Sequence, residues 1–216
     1  MPLLNDEIVE NVKQELANLT SPVRLAVFTQ DSECQFCTET RQLVEEIAQL
    51  SHQLTAEVYD FVADKEKAQQ MGVDKIPAIA ALSADGADDH GVRFYGIPSG
   101  YEFASLLHAI KLVSTGKPEL SEETMQTLAE LNELVHFQVF VTPTCPYCQN
   151  AVMLAHQLAV ASPMVRADMV EAMEFPHLAN KYGVMGVPRS VINEDHAVEG
   201  ALPEAAFVKQ VVAAVS

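Results

Sequence analysis

Two cysteines late in the chain, Cys145 and Cys148, have the spacing of a dithiol that can form and break a disulfide. They follow a short apolar strand pattern (137–141) and open an apolar helical pattern (151–158). At the start of a helix, unpaired N–H groups and the positive end of the helix dipole favour a thiolate. Such a position lowers the pKa of a cysteine from about 8.5 to about 7 or below, and the thiolate is the nucleophile. The second cysteine lies one turn away, where it can resolve a mixed disulfide.

A second C-x-x-C motif, formed by Cys34 and Cys37, lies between a strand pattern and a helical pattern of its own. Each of its cysteines precedes its counterpart in the later motif by 111 residues, and Gly72 precedes Gly183 by the same distance. Landmarks at one constant offset indicate an internal repeat. The chain is therefore predicted to contain two copies of one structural unit.

A proline follows the first cysteine of each motif by 43 residues, in the pairs Ile76-Pro77 and Val187-Pro188. A proline at this point could simply begin a strand or protect its edge. Its recurrence at a fixed distance from a dithiol favours instead a cis proline that faces the cysteines. The backbone of the residue before it, Ile76 or Val187, would then be free to pair with an extended substrate.

The element patterns run in the same order twice, separated by a break with linker-like composition at 114–118. They predict an α/β fold of two tandem βαβαββα units, each with an extra N-terminal helix. The predicted domains are 1–117 and 118–216. The predicted N-terminal helices cover 6–19 and 121–135, and a turn rich in Gly and Asp is predicted at 84–91.

The chain has 216 residues, 49% of them hydrophobic, and a formal net charge of −17. This charge argues against nucleic acid and anionic membranes as partners, since both are bound through basic patches. The first twenty residues are charged and amphipathic, unlike a signal peptide, and no apolar run is long enough to span a bilayer. A cytoplasmic location is predicted, where cysteines are more often catalytic or metal-bound than structural.

A C-x-x-C motif at a helix start, faced by an apolar residue–Pro pair, resembles the thioredoxin/glutaredoxin fold. The segment Thr142-Pro-Thr-Cys145-Pro-Tyr-Cys148 is similar to the glutaredoxin active-site sequence. Two such units, both with C-x-x-C, resemble the protein disulfide oxidoreductases, also called two-domain glutaredoxin-like proteins. The resemblance implies thiol–disulfide exchange with disulfide-containing proteins, through redox-active disulfides and with no bound cofactor.

Two other segments, residues 91–103 and 184–188, resemble the tandem-thioredoxin N-terminal region of the alkyl hydroperoxide reductase flavoprotein. That region passes electrons from a flavin domain to a peroxiredoxin and keeps only its second dithiol, whereas this chain has both. Because the chain lacks G-x-G-x-x-G, the expected electron source is a separate NADPH-dependent flavoprotein of the thioredoxin-reductase type. A stand-alone electron carrier between that flavoprotein and a peroxiredoxin is the alternative function.

The chain also departs from both patterns. Thioredoxins bury an acid six residues before the first cysteine, where this chain has Phe28 and Val139. Glutaredoxins hold glutathione through a basic residue before the motif and a Gly-Gly-Asp type of stretch, whereas residues 142–144 are uncharged and 200–203 do not match. A flavoprotein is therefore favoured over glutathione as the reductant.

The two dithiols are predicted to be unequal. Asp31 and Glu33 lie beside Cys34, and like charge disfavours a thiolate. The neighbours of Cys145 in the sequence are uncharged, and Arg189 would favour its thiolate if the guanidinium points at the dithiol, although such an arginine is more often a solvated surface residue. The second dithiol is thus expected to be the more reactive.

Two other classes of function stay open. The four cysteines could be the ligands of a zinc module, although the gap between the two pairs is far from the spacing of a zinc ribbon. The protein could also be an interaction scaffold whose dithiols no longer react.

Overall fold

The structure, a computed structural model, describes residues 2–84 and 89–215. The first unit consists of α1 (Asp6–Leu16), β1 (Val23–Thr29), α2 (Cys37–Ala48), β2 (Leu54–Asp60), α3 (Lys65–Gln70), β3 (Ala78–Ser83), β4 (Val92–Tyr95) and α4 (Glu102–Thr115). The second unit consists of α5 (Glu122–Ala129), β5 (Val135–Val141), α6 (Cys148–Ala161), β6 (Val165–Glu171), α7 (Pro176–Lys181), β7 (Arg189–Ile192), β8 (His196–Glu199) and α8 (Glu204–Ala214). Each unit is therefore a helix followed by βαβαββα, as predicted.

The predicted helix ends are less accurate than the element order. Helix α1 begins as predicted, with the Asn5 side chain accepting the N–H of Ile8 at 2.9 Å, but both extra helices end several residues early. Val135, predicted as helical, opens β5 because it pairs with Val165 of β6. Of the predicted turn at 84–91, residues 85–88 lie outside the described residues.

The strands of both units form one continuous eight-stranded sheet in the order β2-β1-β3-β4-β6-β5-β7-β8. In the first unit β1 pairs in parallel with β2 and antiparallel with β3, and β5 pairs in the same way with β6 and β7. The units join where β4 pairs in parallel with β6, with Tyr95 opposite Val170. This pairing covers an edge strand that each unit would expose alone. The sequence did not predict this junction.

Side chains alternate along the strands between two buried cores. Leu25 and Val27 of β1 point into the larger core, whereas Ala26 and Phe28 point into the smaller one. The larger core lies under α1, α2, α4, α5, α6 and α8, and the smaller core lies under α3 and α7. No helix in the described ranges combines the length and apolar character needed to cross a bilayer.

Candidate active site

Both C-x-x-C motifs are closed as disulfides, Cys34–Cys37 and Cys145–Cys148, with 5.5 Å between the two Cα atoms in each. Helices α2 and α6 begin at the second cysteine, and the first cysteine lies in the preceding turn. Pro146, predicted in the first helical turn, therefore precedes the helix. In that turn the N–H of Cys145 donates to the carbonyl oxygen of Thr142 at 3.1 Å.

The sheet brings each dithiol and its predicted proline to the same edge. Strand β5 ends just before the second dithiol, and β7 begins beside that end, with Phe140 opposite Arg189. In the first unit Phe28 near the end of β1 lies opposite Ala78 at the start of β3. Since β3 and β7 directly follow Pro77 and Pro188, antiparallel pairing carries both prolines toward the cysteines.

The peptide bonds Ile76–Pro77 and Val187–Pro188 are both cis, as predicted. In the second unit the Sγ of Cys145 lies 3.7 Å from the carbonyl oxygen of Val187. Each cis proline also accepts a hydrogen bond through its carbonyl oxygen, from the N–H of Gly96 at 3.0 Å and of Gly200 at 2.8 Å. The structure thus gathers the predicted site residues into two sets, one in each unit.

In each set the first cysteine is more exposed than the second. Cys37 and Cys148 are 2% and 0% exposed, whereas Cys145 is 9% exposed and Cys34 is half-buried. A substrate sulfur can therefore meet Cys34 or Cys145 more directly than their buried partners. This arrangement suits the first cysteine as nucleophile and the second as the resolving thiol.

The positions where a thioredoxin buries an acid are fully apolar here, because Phe28 and Val139 are 0% and 1% exposed. A buried carboxyl comes instead from Glu102, which is 1% exposed. Its Oε2 accepts the Ser105 hydroxyl at 2.7 Å, and Oε1 has no partner among the described residues. Burial raises the pKa of Glu102 to about 7.

Glu102 begins α4, and this end of the helix packs on the turn that precedes the second dithiol. The N–H of Tyr101 donates to the carbonyl oxygen of Pro143 at 3.0 Å. A Cβ on Gly100 would lie 2.2 Å from that same oxygen, so the approach requires glycine. A carboxyl of the first unit therefore lies at the start of the helix that abuts the dithiol turn of the second.

Sequence reasoning did not assign Glu102 a role, although a signal was present. It begins the helical stripe that includes Ser105, Leu106, Ala109 and Ile110, all buried. A carboxylate in line with such a stripe departs from the polar-outside pattern of an amphipathic helix.

Arg189 does not act on the dithiol as a free cation. Its guanidinium forms an ion pair with Glu199, which lies directly opposite on β8. Among residues 2–84 and 89–215, no group of three or more His, Cys, Asp or Glu side chains is placed to hold a metal ion. The four cysteines form two separate pairs, each closed within its own motif.

Comparison with known proteins agrees with this geometry. A thioredoxin domain family model matches residues 135–213. The crystal structure of a protein disulfide oxidoreductase from Aeropyrum pernix is similar over 98% of this chain and 93% of that chain, with a TM-score of 0.90 and 32% sequence identity. The chain belongs to the protein disulfide oxidoreductase family. It is a thiol–disulfide oxidoreductase built from tandem thioredoxin-fold units with redox-active disulfide pairs.

This protein disulfide oxidoreductase is also similar to parts of larger proteins. The NTD N/C domain of alkylhydroperoxide reductase AhpF from Enterococcus faecalis matches 99% of the chain and is covered completely, with a TM-score of 0.87 and 26% identity. An alkyl hydroperoxide reductase from Pseudomonas putida is 27% identical over 88% of the chain, and an NADH dehydrogenase from Bacillus subtilis is 24% identical over 70%. The chain spans 34% and 27% of the length of these two relatives.

Proposed function

We propose that this oxidoreductase reduces disulfides of protein substrates through both dithiols, with Cys145–Cys148 the more reactive pair. The observation that carries the proposal is the position of Cys145 Sγ, 3.7 Å from the carbonyl oxygen of Val187. An extended segment that pairs with the Val187 backbone is held beside the attacking sulfur. Val187 and Pro188 bind the substrate at this site, and Ile76 and Pro77 have the same role beside Cys34 and Cys37.

The reaction is thiol–disulfide exchange in two steps. The Cys145 thiolate attacks a sulfur of the substrate disulfide, forms a mixed disulfide and releases the first substrate thiolate. Cys148 then loses its proton and attacks Cys145 Sγ, which releases the second substrate thiolate and closes the disulfide of the enzyme. Because Val139 supplies no acid, the buried carboxyl of Glu102 is the group best placed to take the Cys148 proton.

The first dithiol either repeats this chemistry or relays electrons to the second. The predicted division into domains 1–117 and 118–216 would give each dithiol a unit of its own. The C-cap of α4, Gly116, has a left-handed φ of 60°, which supports a boundary at that point. The cytoplasmic location stays a prediction.

Electrons come from an NADPH-dependent flavoprotein of the thioredoxin-reductase type. A second candidate function is transfer of these electrons to a peroxiredoxin, and the similarity to the complete NTD N/C domain of AhpF favours it. The net charge of −17 argues against nucleic acid and anionic membranes as further partners.

The reductant can be tested by insulin reduction with two electron sources. Turnover with NADPH and a thioredoxin-reductase-type flavoprotein should exceed turnover with glutathione and glutathione reductase. Uncharged residues where glutaredoxins hold glutathione motivate this expectation. A glutathione system that is faster by about tenfold would overturn the choice of reductant.

The partners can be trapped with Cys148→Ser, which forms the mixed disulfide with Cys145 but cannot resolve it. Capture of disulfide-containing proteins supports the main proposal, and capture of a peroxiredoxin alone supports the carrier function. The control is Cys145→Ser/Cys148→Ser, which removes the attacking sulfur and should trap nothing at this site. Equal capture by both variants would contradict the role of Cys145.

A further inference from the structure

The turn after β6 directs two carboxyls of the second unit toward the first unit. The Oε1 of Glu174 accepts the N–H of Ile97, in the loop after β4, at 2.7 Å. The Oε2 of Glu171 accepts the N–H of Glu174 at 2.6 Å and so fixes the turn. The two acids therefore lie on the seam formed by β4 and β6.

This seam reaches the first dithiol through Gly96. The N–H of Gly96 donates to the carbonyl oxygen of Pro77, the cis proline of that site, at 3.0 Å. A Cβ on Gly96 would lie 2.6 Å from Glu171 Cβ and 2.8 Å from Glu174 Oε1, so only a glycine lets the carboxyls approach. The acids of the second unit therefore pack directly on the loop beside the substrate-binding proline of the first.

A third carboxyl, Glu39, approaches the same point from α2, two residues after Cys37. Burial, followed by the negative charges of Glu171 and Glu39, raises the pKa of Glu174 to about 7, against the opposing effect of the Ile97 N–H. Burial also raises the pKa of Glu171, which is 3% exposed and whose Oε1 has no partner among the described residues. The charged groups that act on Glu174 are thus acidic, and an unpartnered buried oxygen lies among them.

We propose that Glu174 and Glu171 form the proton-holding site of the Cys34–Cys37 dithiol across the unit boundary. The inference rests on the proposed function, because it assumes that this dithiol cycles. It goes further in naming the groups that support the reaction at the first site. Phe28, on the strand that leads to Cys34, is 0% exposed and supplies no acid.

The step they support is the resolution of a mixed disulfide on Cys34. The thiol proton of Cys37 passes to the carboxylate pair, and the Cys37 thiolate attacks Cys34 Sγ. The Cys34–substrate bond breaks, a Cys34–Cys37 disulfide forms, and the departing substrate thiolate takes up a proton. The dithiol is oxidised, and the substrate disulfide is reduced to two thiols.

The test uses the full chain with Cys145→Ser and Cys148→Ser, so that only the first dithiol reacts. Addition of dithiobis(nitrobenzoate) to the reduced protein releases one coloured thiolate when Cys34 is modified and a second when Cys37 resolves the adduct. Glu174→Gln, which keeps an acceptor for the Ile97 N–H, should slow the second phase by about tenfold near neutral pH. It should also remove the inflection near pH 7 from the pH profile of that phase.

The matched control is Glu204→Gln, since Glu204 also accepts a backbone N–H, from Ser121 at 2.9 Å, at the start of a helix. An unchanged second phase and pH profile in Glu174→Gln would overturn the inference, as would an equal slowing in Glu204→Gln. If Glu174→Gln does not fold, Glu171→Gln is measured in its place, with the same two outcomes. Absence of the second phase before any carboxyl is changed would instead show that the first dithiol does not cycle, which contradicts its part in the proposed function.

Discussion

The two dithiol sites have the same backbone plan but different surfaces. Beside the second site, Tyr147 and Met185 are 69% and 94% exposed. At the positions 111 residues earlier stand Phe36, which is half-buried, and Asp74, whose side chain is 72% exposed and pairs with Lys75 at 2.5 Å. One site therefore offers substrates an apolar surface and the other a charged one. A repeated fold can thus present two binding chemistries within one chain.

The helices that carry the two dithiols also differ, because the junction between the units covers only one of them. Helix α4 packs against α6, and His156 of α6 is 0% exposed, with its ring 4.9 Å from that of Phe94. Glu45 occupies the corresponding place on α2 and forms an ion pair with Arg41 at 2.9 Å. The second dithiol thus lies on a buried helix and the first on a partly solvated one.

The comparison predicts its largest effect when each attacking cysteine is removed. Cys145→Ser should lower insulin reduction by at least about tenfold, whereas Cys34→Ser should retain the larger part of the activity. The expected cause is the acidic surroundings of Cys34. Rates of alkylation by iodoacetamide against pH provide an independent check, with Cys145 reacting at lower pH. A larger loss from Cys34→Ser would reverse the assignment.

Glu102 should make stability depend on pH through the second site. Its pKa is about 7 in the folded protein, against an ordinary value of 4.5, so the folded state binds the extra proton between these values. Stability is therefore lost as pH rises from 4.5 toward 7. Glu102→Gln should gain about 2 kcal/mol relative to the wild type between pH 5 and pH 8, measured by urea unfolding. Glu204→Gln, at a half-buried helix start, is the control and should not show this gain.

His156 should have the opposite pH dependence. Burial lowers its pKa from 6.5 to about 3, so the unfolded chain binds the proton first and stability falls as pH drops below 6.5. His156→Leu should remove about 1 kcal/mol of the stability loss between pH 7.5 and pH 5.5, measured by denaturant unfolding. Replacement of the exposed His52 by Gln should leave that loss unchanged. The same loss in His156→Leu would show that other groups cause it.

The smallest effect concerns the apolar surface of the second site. Met185→Asp places there the residue of the first site and should slow reduction of a protein disulfide about threefold, because contact between apolar surfaces is lost. Reduction of a small aliphatic disulfide serves as the control and should hardly change. If both substrates slow equally, Met185 acts on the dithiol itself and the surface comparison fails.

Much of each site could be predicted from local sequence. The C-x-x-C spacing identified the redox pairs, and the constant offset identified two copies of one unit. The same offset led to cis bonds at Pro77 and Pro188. These features were accessible because a few neighbouring residues, or their exact recurrence, determine them. Helix ends were less accurate, as at Val135, because strand pairing with a distant segment overrides local helix preference.

Long-range packing decided the features that distinguish this molecule. The pairing of β4 with β6 joins the units into one sheet, and no local pattern specifies which edges meet. That junction brings Glu102 to the turn before Cys145 and Glu174 to the loop beside Pro77. It also buries His156. The sequence by itself determined which residues carry the chemistry, whereas the tertiary structure decided which carboxyls surround them, because those carboxyls come from the other unit.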